Sequence, residues 1–286
     1  MCRRTAIARI AVLAAGVITA SGWGGVESMS IPSESVETCC PVVELRQYTL
    51  KPQAGETLVR LFDQHFVEGQ ERHGMRIIGQ FRDLSDPNRF VWLRGFSDME
   101  SRREALSAFY SGPVWKEHGP AANETMIDSD DVLLLRPIGA DAGFLLDQDL
   151  RPSRGSSGPA QDRVVVTVYS LGESASPVTI AALADEIRAA FEEARGTLVA
   201  LLATEHAANT FPRLPVREGA SVLVWIASYP NEEEYRRSMD DLLSLPRWRA
   251  SIAPGLETMS DGKPREVLLL QPTPRSLLRH RDTSER

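Results

Sequence analysis

The chain has 286 residues, of which 42% are hydrophobic and 25% are charged, and its formal net charge at pH 7 is −7. These values are ordinary for a globular protein, and the length suits two domains of common size. The sequence has no basic stripe of the kind that nucleic-acid-binding proteins carry, so we expect no nucleic-acid partner.

Residues 1–40 differ from the rest of the chain. They carry three arginines in the first nine positions, followed by an eleven-residue apolar stretch that ends at Ala20. This pattern resembles a signal peptide, and the apolar stretch is too short to span a bilayer as a helix. Met29 offers a shorter start. We therefore favour a cytoplasmic protein without integral membrane insertion, with export through residues 1–22 as the alternative.

The three cysteines, Cys2, Cys39 and Cys40, all lie in this first segment. An odd, clustered set cannot form a disulfide framework for the domains that follow. Two neighbouring cysteines also lack the further ligands that a zinc site needs. We therefore expect Cys39 and Cys40 to be reduced thiols.

Residues 41–137 predict a first domain with the order strand, helix, strand, strand, helix, strand. β-Forming residues dominate the first strand, which ends before Pro52, and apolar residues at helical spacing follow it. Asp98 offers an N-cap for the second helix. The predicted strands are residues 42–50, 75–83, 89–96 and 132–136, and the predicted helices are residues 55–69 and 99–110, with a short helical piece at 115–123.

Residues 138–162 are rich in Gly, Pro and Ser and predict a linker. Residues 163–273 then repeat the order of the first domain, with a longer turn at 204–219 before the third strand, and residues 274–286 form a tail. The predicted strands of this second domain are residues 164–169, 197–203, 222–229 and 267–270, and its predicted helices are residues 179–195 and 232–243.

The two domains repeat each other. Three pairs of residues recur at a spacing of 133 positions: Trp92 and Trp225, Trp115 and Trp248, Met126 and Met259. Matching segments in a fixed order indicate a duplicated domain. The order of elements predicts an α+β fold of two tandem ferredoxin-like (βαββαβ) repeats, each an antiparallel sheet with both helices on one face. The two open sheet faces can then bury each other and close a barrel within one chain, so we expect a monomeric pseudo-dimer or a homodimer.

Five strings in the first domain resemble the NIPSNAP family. They are VELRQYTL at residues 43–50, GQFRD at 79–83, FVWLRGF at 90–96, FYSGPVWK at 109–116 and NETMIDSD at 123–130. The resemblance implies the dimeric α+β barrel superfamily, which agrees with the predicted strand order. That superfamily includes cofactor-independent monooxygenases, isomerases and haem-binding proteins. The resemblance implies no particular catalytic residues.

Alternation along the strands suggests a binding site in the first domain. Side chains two residues apart share a face of a strand. One set of faces is mixed in character and the other is apolar, with Val43 and Leu45 as examples. We expect the apolar set beneath the helices and the mixed set inside the barrel. The candidate substrate-binding residues are Glu44, Arg46, Tyr48, Gln80, Trp92 and Arg94.

The second domain keeps the aromatic members of this set as Tyr169 and Trp225 but has Val165, Thr167 and Ala227 in place of the charged members. Two buried arginines need a carboxylate, water or an anionic ligand. They predict either a structural ion network or a pocket for a molecule bearing a carboxylate or phosphate, which arginine binds through its planar fork.

His118 is the candidate general acid or base, because the pKa of histidine is ordinarily near neutrality. His65, on the apolar stripe of the first helix, predicts a core residue. No nucleophile elbow, phosphate loop or dinucleotide motif occurs. Residues 128–131 are acidic but predict a turn, so we expect neither a metal nor a tightly bound cofactor.

Two functions remain. The chain is either a small-molecule-binding protein or cofactor-independent enzyme, or a non-catalytic interaction protein that uses residues 211–217 and its sheet edges. The sequence does not decide whether it is an enzyme.

Overall fold

A computed structural model describes residues 38–157 and 161–280. The predicted signal-like segment, except for its last residues, therefore lies outside the described part of the chain. Within the described part, no helix has both the length and the apolar character needed to cross a membrane.

The first repeat contains the predicted strands and helices, with some differences in their bounds. Its elements are β1 (Thr38–Cys39), β2 (Val42–Leu50), α1 (Gly55–Leu61), a π-helical turn (Phe62–Phe66), α2 (Val67–Glu71), β3 (Arg76–Asp83), β4 (Arg89–Phe96), α3 (Met99–Ser111), α4 (Pro113–Thr125) and β5 (Met126–Pro137). The last strand begins six residues earlier than predicted. Residues 128–131 therefore lie in a strand and not in a turn, because Asp128 and Asp131 pair with Thr49 and Gln47 of β2.

The second repeat has the same order of elements. Between the repeats lie β6 (Phe144–Leu145), which pairs with β1, and a 3-10 turn (Gln148–Leu150). The elements of the second repeat are β7 (Arg163–Ser170), α5 (Pro177–Glu193), β8 (Thr197–Thr204), β9 (Val222–Tyr229), α6 (Glu232–Ser244), a π-helical turn (Trp248–Ile252), α7 (Ala253–Met259) and β10 (Glu266–Pro272).

Eight strands form a closed antiparallel barrel in the order β10-β3-β4-β2-β5-β8-β9-β7. Each repeat contributes four strands, so the barrel is two ferredoxin-like sheets joined edge to edge. The joins are the pairing of β5 with β8 and of β10 with β3. The predicted fold, an intrachain α+β barrel built from two repeats, is confirmed.

The helices begin where the sequence supplies a cap. The Asp98 side chain accepts a hydrogen bond from the backbone N–H of Ser101 at 2.6 Å, and Asn231 accepts one from Glu234 at 2.9 Å at the corresponding place in the second repeat. A side-chain oxygen at this position satisfies a backbone donor that the first helical turn leaves free. Equivalent caps start α3 and α6 at equivalent places, and this fixes which residues of those helices face the sheets.

The interior of the barrel is apolar, and the expected assignment of faces was wrong. Val43 and Leu45 pack inside the barrel with residues of both repeats, such as Val166 and Val224. The mixed face, with Tyr48 and Trp92, packs beneath the helices. Side chains that point into the barrel can contact only one another, because an eight-stranded barrel has room for little more than side chains. The helix layer, in contrast, can supply polar partners to charged residues of the sheet.

Cys39 and Cys40 are joined to each other as a disulfide, where the sequence predicted two reduced thiols. Cys40 is buried with the barrel-interior residues. It lies so close to Gly95 that a Cβ atom there would overlap its sulfur.

Candidate functional site

The candidate site centres on the carboxylate of Glu44, which is fully buried in the middle of β2. Arg46 Nη1 donates to Glu44 Oε2 at 2.8 Å. Arg94 Nε donates to the same oxygen at 2.7 Å, and Arg102 Nε donates to Oε1 at 2.7 Å. Three guanidinium groups therefore converge on one carboxylate, and all four residues are fully buried.

The local fold places these residues together for three different reasons. Arg46 lies two residues from Glu44, so both side chains leave β2 on the same face. Arg94 is the residue of β4 directly opposite Glu44 in the antiparallel register. Arg102 lies in the first turn of α3, and the N-cap Asp98 sets the rotation of this helix so that Arg102 faces the sheet together with Ala105 and Leu106.

Neutral groups satisfy several of the remaining guanidinium donors. Arg46 Nε donates to the Tyr48 hydroxyl at 3.0 Å, and Arg94 Nη1 donates to Gln70 Oε1 at 2.9 Å. The Nη2 atoms of Arg94 and Arg102 lie 2.7 Å from the Glu44 oxygens, within ion-pair distance. They lack the alignment of a hydrogen bond to any acceptor in the described residues. Both guanidinium forks therefore pair imperfectly with Glu44.

The site carries more positive than negative charge. Its ion pairs join three arginines to the single carboxylate of Glu44. Burial raises the pKa of Glu44, but the charges of Arg94, Arg46 and Arg102 outweigh burial and hold that pKa far below its usual range. Glu44 is therefore ionised at neutral pH, and one carboxylate balances only one of the three cations.

Aromatic rings line the same site. The guanidinium carbon of Arg94 lies 5.0 Å from the centre of the Trp92 ring, and that of Arg46 lies 5.5 Å from the centre of the Tyr48 ring. Tyr48 and Trp92 meet edge to face at 5.9 Å between ring centres. These cation–π contacts offset part of the cost of burying the arginines.

A loop from the second repeat covers the site. This 205–221 loop connects β8 to β9. Arg102 Nη1 donates to Asn209 Oδ1 at 3.0 Å and to Thr210 Oγ1 at 3.3 Å. Phe211 stacks on Tyr110 with 5.9 Å between ring centres. The second repeat therefore closes the site that the first repeat builds.

A cavity of about 320 Å³ lies between the two ends of this loop and strand β5. Leu134 lines the cavity and is also the β5 residue directly opposite Glu44 in the register. Directly opposed residues of antiparallel strands project from the same face of the sheet. Leu134 therefore projects toward the helices with Glu44, whereas Leu133, which also lines the cavity, projects into the barrel, and none of the cluster residues lines the cavity.

Residues 43–140 match the family model NIPSNAP. This part of the chain is a NIPSNAP domain. The match covers the whole of the Glu44–Arg46–Arg94–Arg102 cluster, and it leaves the covering loop outside the matched range.

Two of the solved structures compared share the fold of the NIPSNAP domain and its repeat together. A proposed monooxygenase from Lactobacillus acidophilus NCFM has a TM-score of 0.51 and 11% identity, with coverage of 85% of this chain and 100% of its own. A proposed monooxygenase from Fusobacterium nucleatum subsp. nucleatum has a TM-score of 0.51 and 10% identity, covering 85% and 99%. A NIPSNAP family protein of unknown function from Agrobacterium tumefaciens has a TM-score of 0.32 and 23% identity, covering 34% and 86%. No curated protein matches the chain.

Of the residues selected from the sequence, Glu44, Arg46, Tyr48, Trp92 and Arg94 lie together in the NIPSNAP domain, but outside the barrel and beneath the helices. Gln80 shares the face of Trp92 through their direct pairing. Its side chain accepts from Thr273 Oγ1 at 3.4 Å and its backbone N–H donates to Ser276 Oγ at 3.2 Å. Gln80 is therefore held by the segment that follows β10 and is not hydrogen-bonded to the cluster.

The two histidines selected from the sequence lie at the outer surface of the helices of the NIPSNAP domain. The rings of His65 and His118 stack with 3.6 Å between their centres, and His118 Nε2 lies 3.7 Å from Glu117. His65 is only partly buried, so the prediction of a core histidine was wrong: the π-helical turn rotates it out of the apolar stripe. Burial and the neighbouring His118 lower the pKa of His65.

Four site residues were missed by sequence reasoning: Arg102, Gln70, Asn209 and Thr210. Arg102 gave a usable signal, because it precedes Ala105 and Leu106 at helical spacing and its counterpart at the same offset is the less polar Tyr235. Asn209 and Thr210 gave none, because nothing in a loop of the second repeat indicates contact with the first.

Proposed function

We propose that this protein binds a small aromatic molecule with a carboxylate or phosphate group at the Glu44 cluster of its NIPSNAP domain, without a tightly bound cofactor. The observation that carries the proposal is the buried excess of positive charge, three guanidinium groups against one carboxylate.

Glu44 leaves two of the three cations of the cluster without a counter-charge. A buried charge without a counter-charge costs several kcal/mol even after the protein relaxes around it. Hydrogen bonds to neutral partners such as Gln70 and Tyr48 reduce this cost but do not cancel the charge. A carboxylate or phosphate supplies both the counter-charge and the planar acceptor pair that matches a guanidinium fork.

The shape of the site favours an aromatic ligand. Tyr48 and Trp92 present rings beside the guanidinium groups. The cavity between the ends of the covering loop and β5, about 320 Å³, is at the lower end of the size range of small-molecule pockets. An aromatic anion would place its charge on the arginines and its ring against Tyr48 and Trp92.

The chemistry of the cluster supports binding more directly than acid–base catalysis. Glu44 has a pKa far below neutrality, so it is a poor proton donor. His118 has its ring stacked on His65 and its nearest acidic partner in Glu117, so none of its contacts is with the cluster. Among the cluster's own groups, the Tyr48 hydroxyl is the proton carrier that touches an arginine, and burial raises its pKa.

The test is a thermal-shift titration of the full chain with benzoate, salicylate and phenyl phosphate, with benzamide as a neutral analogue of benzoate. A ligand at a hundredfold its dissociation constant stabilises the folded state by about 2.7 kcal/mol. We expect the anions to raise the melting temperature and benzamide to leave it unchanged. A response to benzamide equal to that to benzoate would show that the cluster's charge plays no part.

Arg94→Met should abolish the shift, because it removes the fork that lies between Glu44 and Trp92. The matched control is Arg151→Met. Arg151 is also a largely buried arginine that donates to a glutamate, Glu71, at 2.6 Å, but it lies outside the cluster. This control should lose stability and keep the ligand response. The proposal fails if no anion stabilises the wild-type protein, or if both variants respond alike.

The alternative function, a non-catalytic interaction protein, is less well supported by the fold. Each barrel strand is hydrogen-bonded on both sides, so the barrel strands offer no open edge for a partner. Phe211, in the segment predicted to bind partners, packs on Tyr110 of the same chain. Deleting residues 211–217 and measuring anion binding beside partner capture would separate the two functions.

A further inference from the structure

We infer that the 205–221 loop of the second repeat is a lid on the anion site, and that its Asn209 and Thr210 occupy the place on Arg102 that the anionic group of the ligand takes. The inference rests on the proposed function and adds to it a specific role for the second repeat, whose own helix-covered face has lost the charged residues.

The loop is an addition to the repeated fold. In the first repeat, residues 84–88 connect β3 to β4, whereas residues 205–221 make the same connection between β8 and β9. The short connection has no counterpart to Asn209, Thr210 or Phe211. The extra residues are therefore not needed to join the strands, and their contacts are available for another role.

The loop is fixed to the barrel at its ends and to the site by side chains at its tip. Near the ends, Glu205 N–H donates to Leu134 O at 2.8 Å and Arg217 N–H donates to Val132 O at 2.8 Å. At the tip, Thr210 Oγ1 donates to Met99 O at 2.9 Å, beside the bonds to Arg102. Gly219 follows with φ of +79°, a backbone conformation that glycine adopts without strain. The tip and the ends are attached separately. The tip can therefore lift while the ends stay paired with β5.

The tip contacts are weak substitutes for an anion. Arg102 is fully buried, and the loop offers it two neutral oxygens, Asn209 Oδ1 and Thr210 Oγ1. The guanidinium donor of Arg102 already makes both bonds charge-assisted, but the two neutral oxygens bring no counter-charge to this buried cation. An incoming carboxylate or phosphate on Arg102 supplies the counter-charge that these two oxygens lack, so it replaces them and the tip lifts away from Arg102.

The internal bonds of the tip keep it ordered when it leaves Arg102. Asn209 Nδ2 donates to Leu214 O at 2.9 Å, and Asn209 Oδ1 accepts from Phe211 N–H at 3.0 Å. These bonds lie within the loop, so they persist when the loop moves as a unit. The contacts that opening must break are the bonds of Asn209 and Thr210 to the first repeat, the stack of Phe211 on Tyr110 and the cation–π contact of Arg213 with the same ring.

The decisive variant is Asn209→Asp, which places a permanent carboxylate on Arg102. We expect it to weaken benzoate binding at least tenfold, because the lid then carries the anion itself. The melting temperature of the free protein is not the readout, because the variant also loses the bond from Asn209 Nδ2 to Leu214 O. The control is Asn231→Asp, the same chemical change at the N-cap of α6. The equivalent cap in the first repeat is already Asp98, so this control should leave benzoate binding unchanged.

A second measurement is amide hydrogen exchange of residues 206–216. Phe211→Ala should accelerate both this exchange and benzoate release by removing the stack on Tyr110. If wild-type protein binds anions and Asn209→Asp binds them within twofold, the lid role is wrong and the proposed function stands. If wild-type protein binds no anion, both proposals fail.

Discussion

The helix-covered faces of the two repeats have the same strand pairing and differ in charge. Arg46 lies opposite Trp92 in the first repeat, and Thr167 lies opposite Trp225 in the second. At the next pair on that face, Glu44 opposes Arg94 in the first repeat. The corresponding pair in the second repeat is Val165 and Ala227. Even the irregularity of the neighbouring strand is kept, with a register shift between Ile77 and Gly79 in β3 and one between Leu198 and Ala200 in β8.

This difference shows that the fold does not need the charged cluster. The second repeat buries Val165, Tyr169 and Trp225 in an apolar layer and reaches the same strand order. If the arginines of the first repeat served only to hold its sheet to its helices, apolar residues would serve as well at a lower cost of desolvation. Their presence in one copy alone supports a role in ligand binding.

The strongest effect should come from removing the carboxylate that balances the cluster. Glu44→Gln leaves three buried guanidinium groups without a counter-charge, and breaking a buried ion pair in this way costs about 3 to 5 kcal/mol of unfolding free energy. Val165→Thr, the control at the equivalent position of the second repeat, should cost less because it buries a hydroxyl and not a charge. Urea denaturation of both variants measures the difference. A loss below about 1 kcal/mol for Glu44→Gln would indicate that water already reaches the cluster.

A second variant gives the first repeat the residues of the second. The fourfold variant Glu44→Val, Arg46→Thr, Arg94→Ala, Arg102→Tyr removes every charge of the cluster together. We expect it to be more stable than Glu44→Gln alone by about 1 kcal/mol or more, because no buried charge is left unpaired and the four substitutions are strongly coupled. If urea denaturation shows that the fourfold variant loses as much unfolding free energy as Glu44→Gln, or more, the sheet and helices of the first repeat depend on the ion pairs.

A smaller effect concerns Asp63, in the π-helical turn of the first repeat. Burial, partly offset by Arg275, raises its pKa to about 6 from 3.8. The folded state therefore holds this proton more tightly than the unfolded state, so the stability from the protonated form is present below about pH 4 and is lost as pH rises through about 6. Because the side chain is only half-buried, we discount the effect to about 1 kcal/mol. Asp63→Asn should stabilise the protein by that amount at pH 8 and have no effect at about pH 3.5, in thermal melts at both values. A gain in stability that is the same at both pH values would contradict a raised pKa for Asp63.

The weakest effect should be that of His118→Ala. Its ring stacks on His65 at the outer surface and makes no contact with the cluster, so benzoate affinity should stay within twofold of wild type. Loss of the ring pair should cost about 0.5 to 1.5 kcal/mol of stability. A tenfold loss of affinity in an isothermal titration would restore His118 as a site residue.

Much of the site was predictable because it lies on two strands in which alternation separates the two faces. Alternation along residues 42–50 and 89–96 is sufficient to place Glu44, Arg46 and Arg94 on one face of the sheet. The direction of that face was predicted wrongly. In a sheet with both faces buried, alternation separates two sets of side chains without showing which set meets the helices, since neither face meets water.

The amino-acid sequence was sufficient to establish the duplication, the strand order of each repeat and the closure of two sheets into one barrel. Those features follow from local periodicity and from residues that recur at a constant spacing. The three-dimensional arrangement was needed to show that the charged residues lie beneath the helices, that Arg102 of α3 completes the cluster, and that Asn209 and Thr210 cover it. The contacts of Arg102 with that loop join positions more than 100 residues apart. Their geometry depends on helix rotation and loop path, which no local pattern specifies.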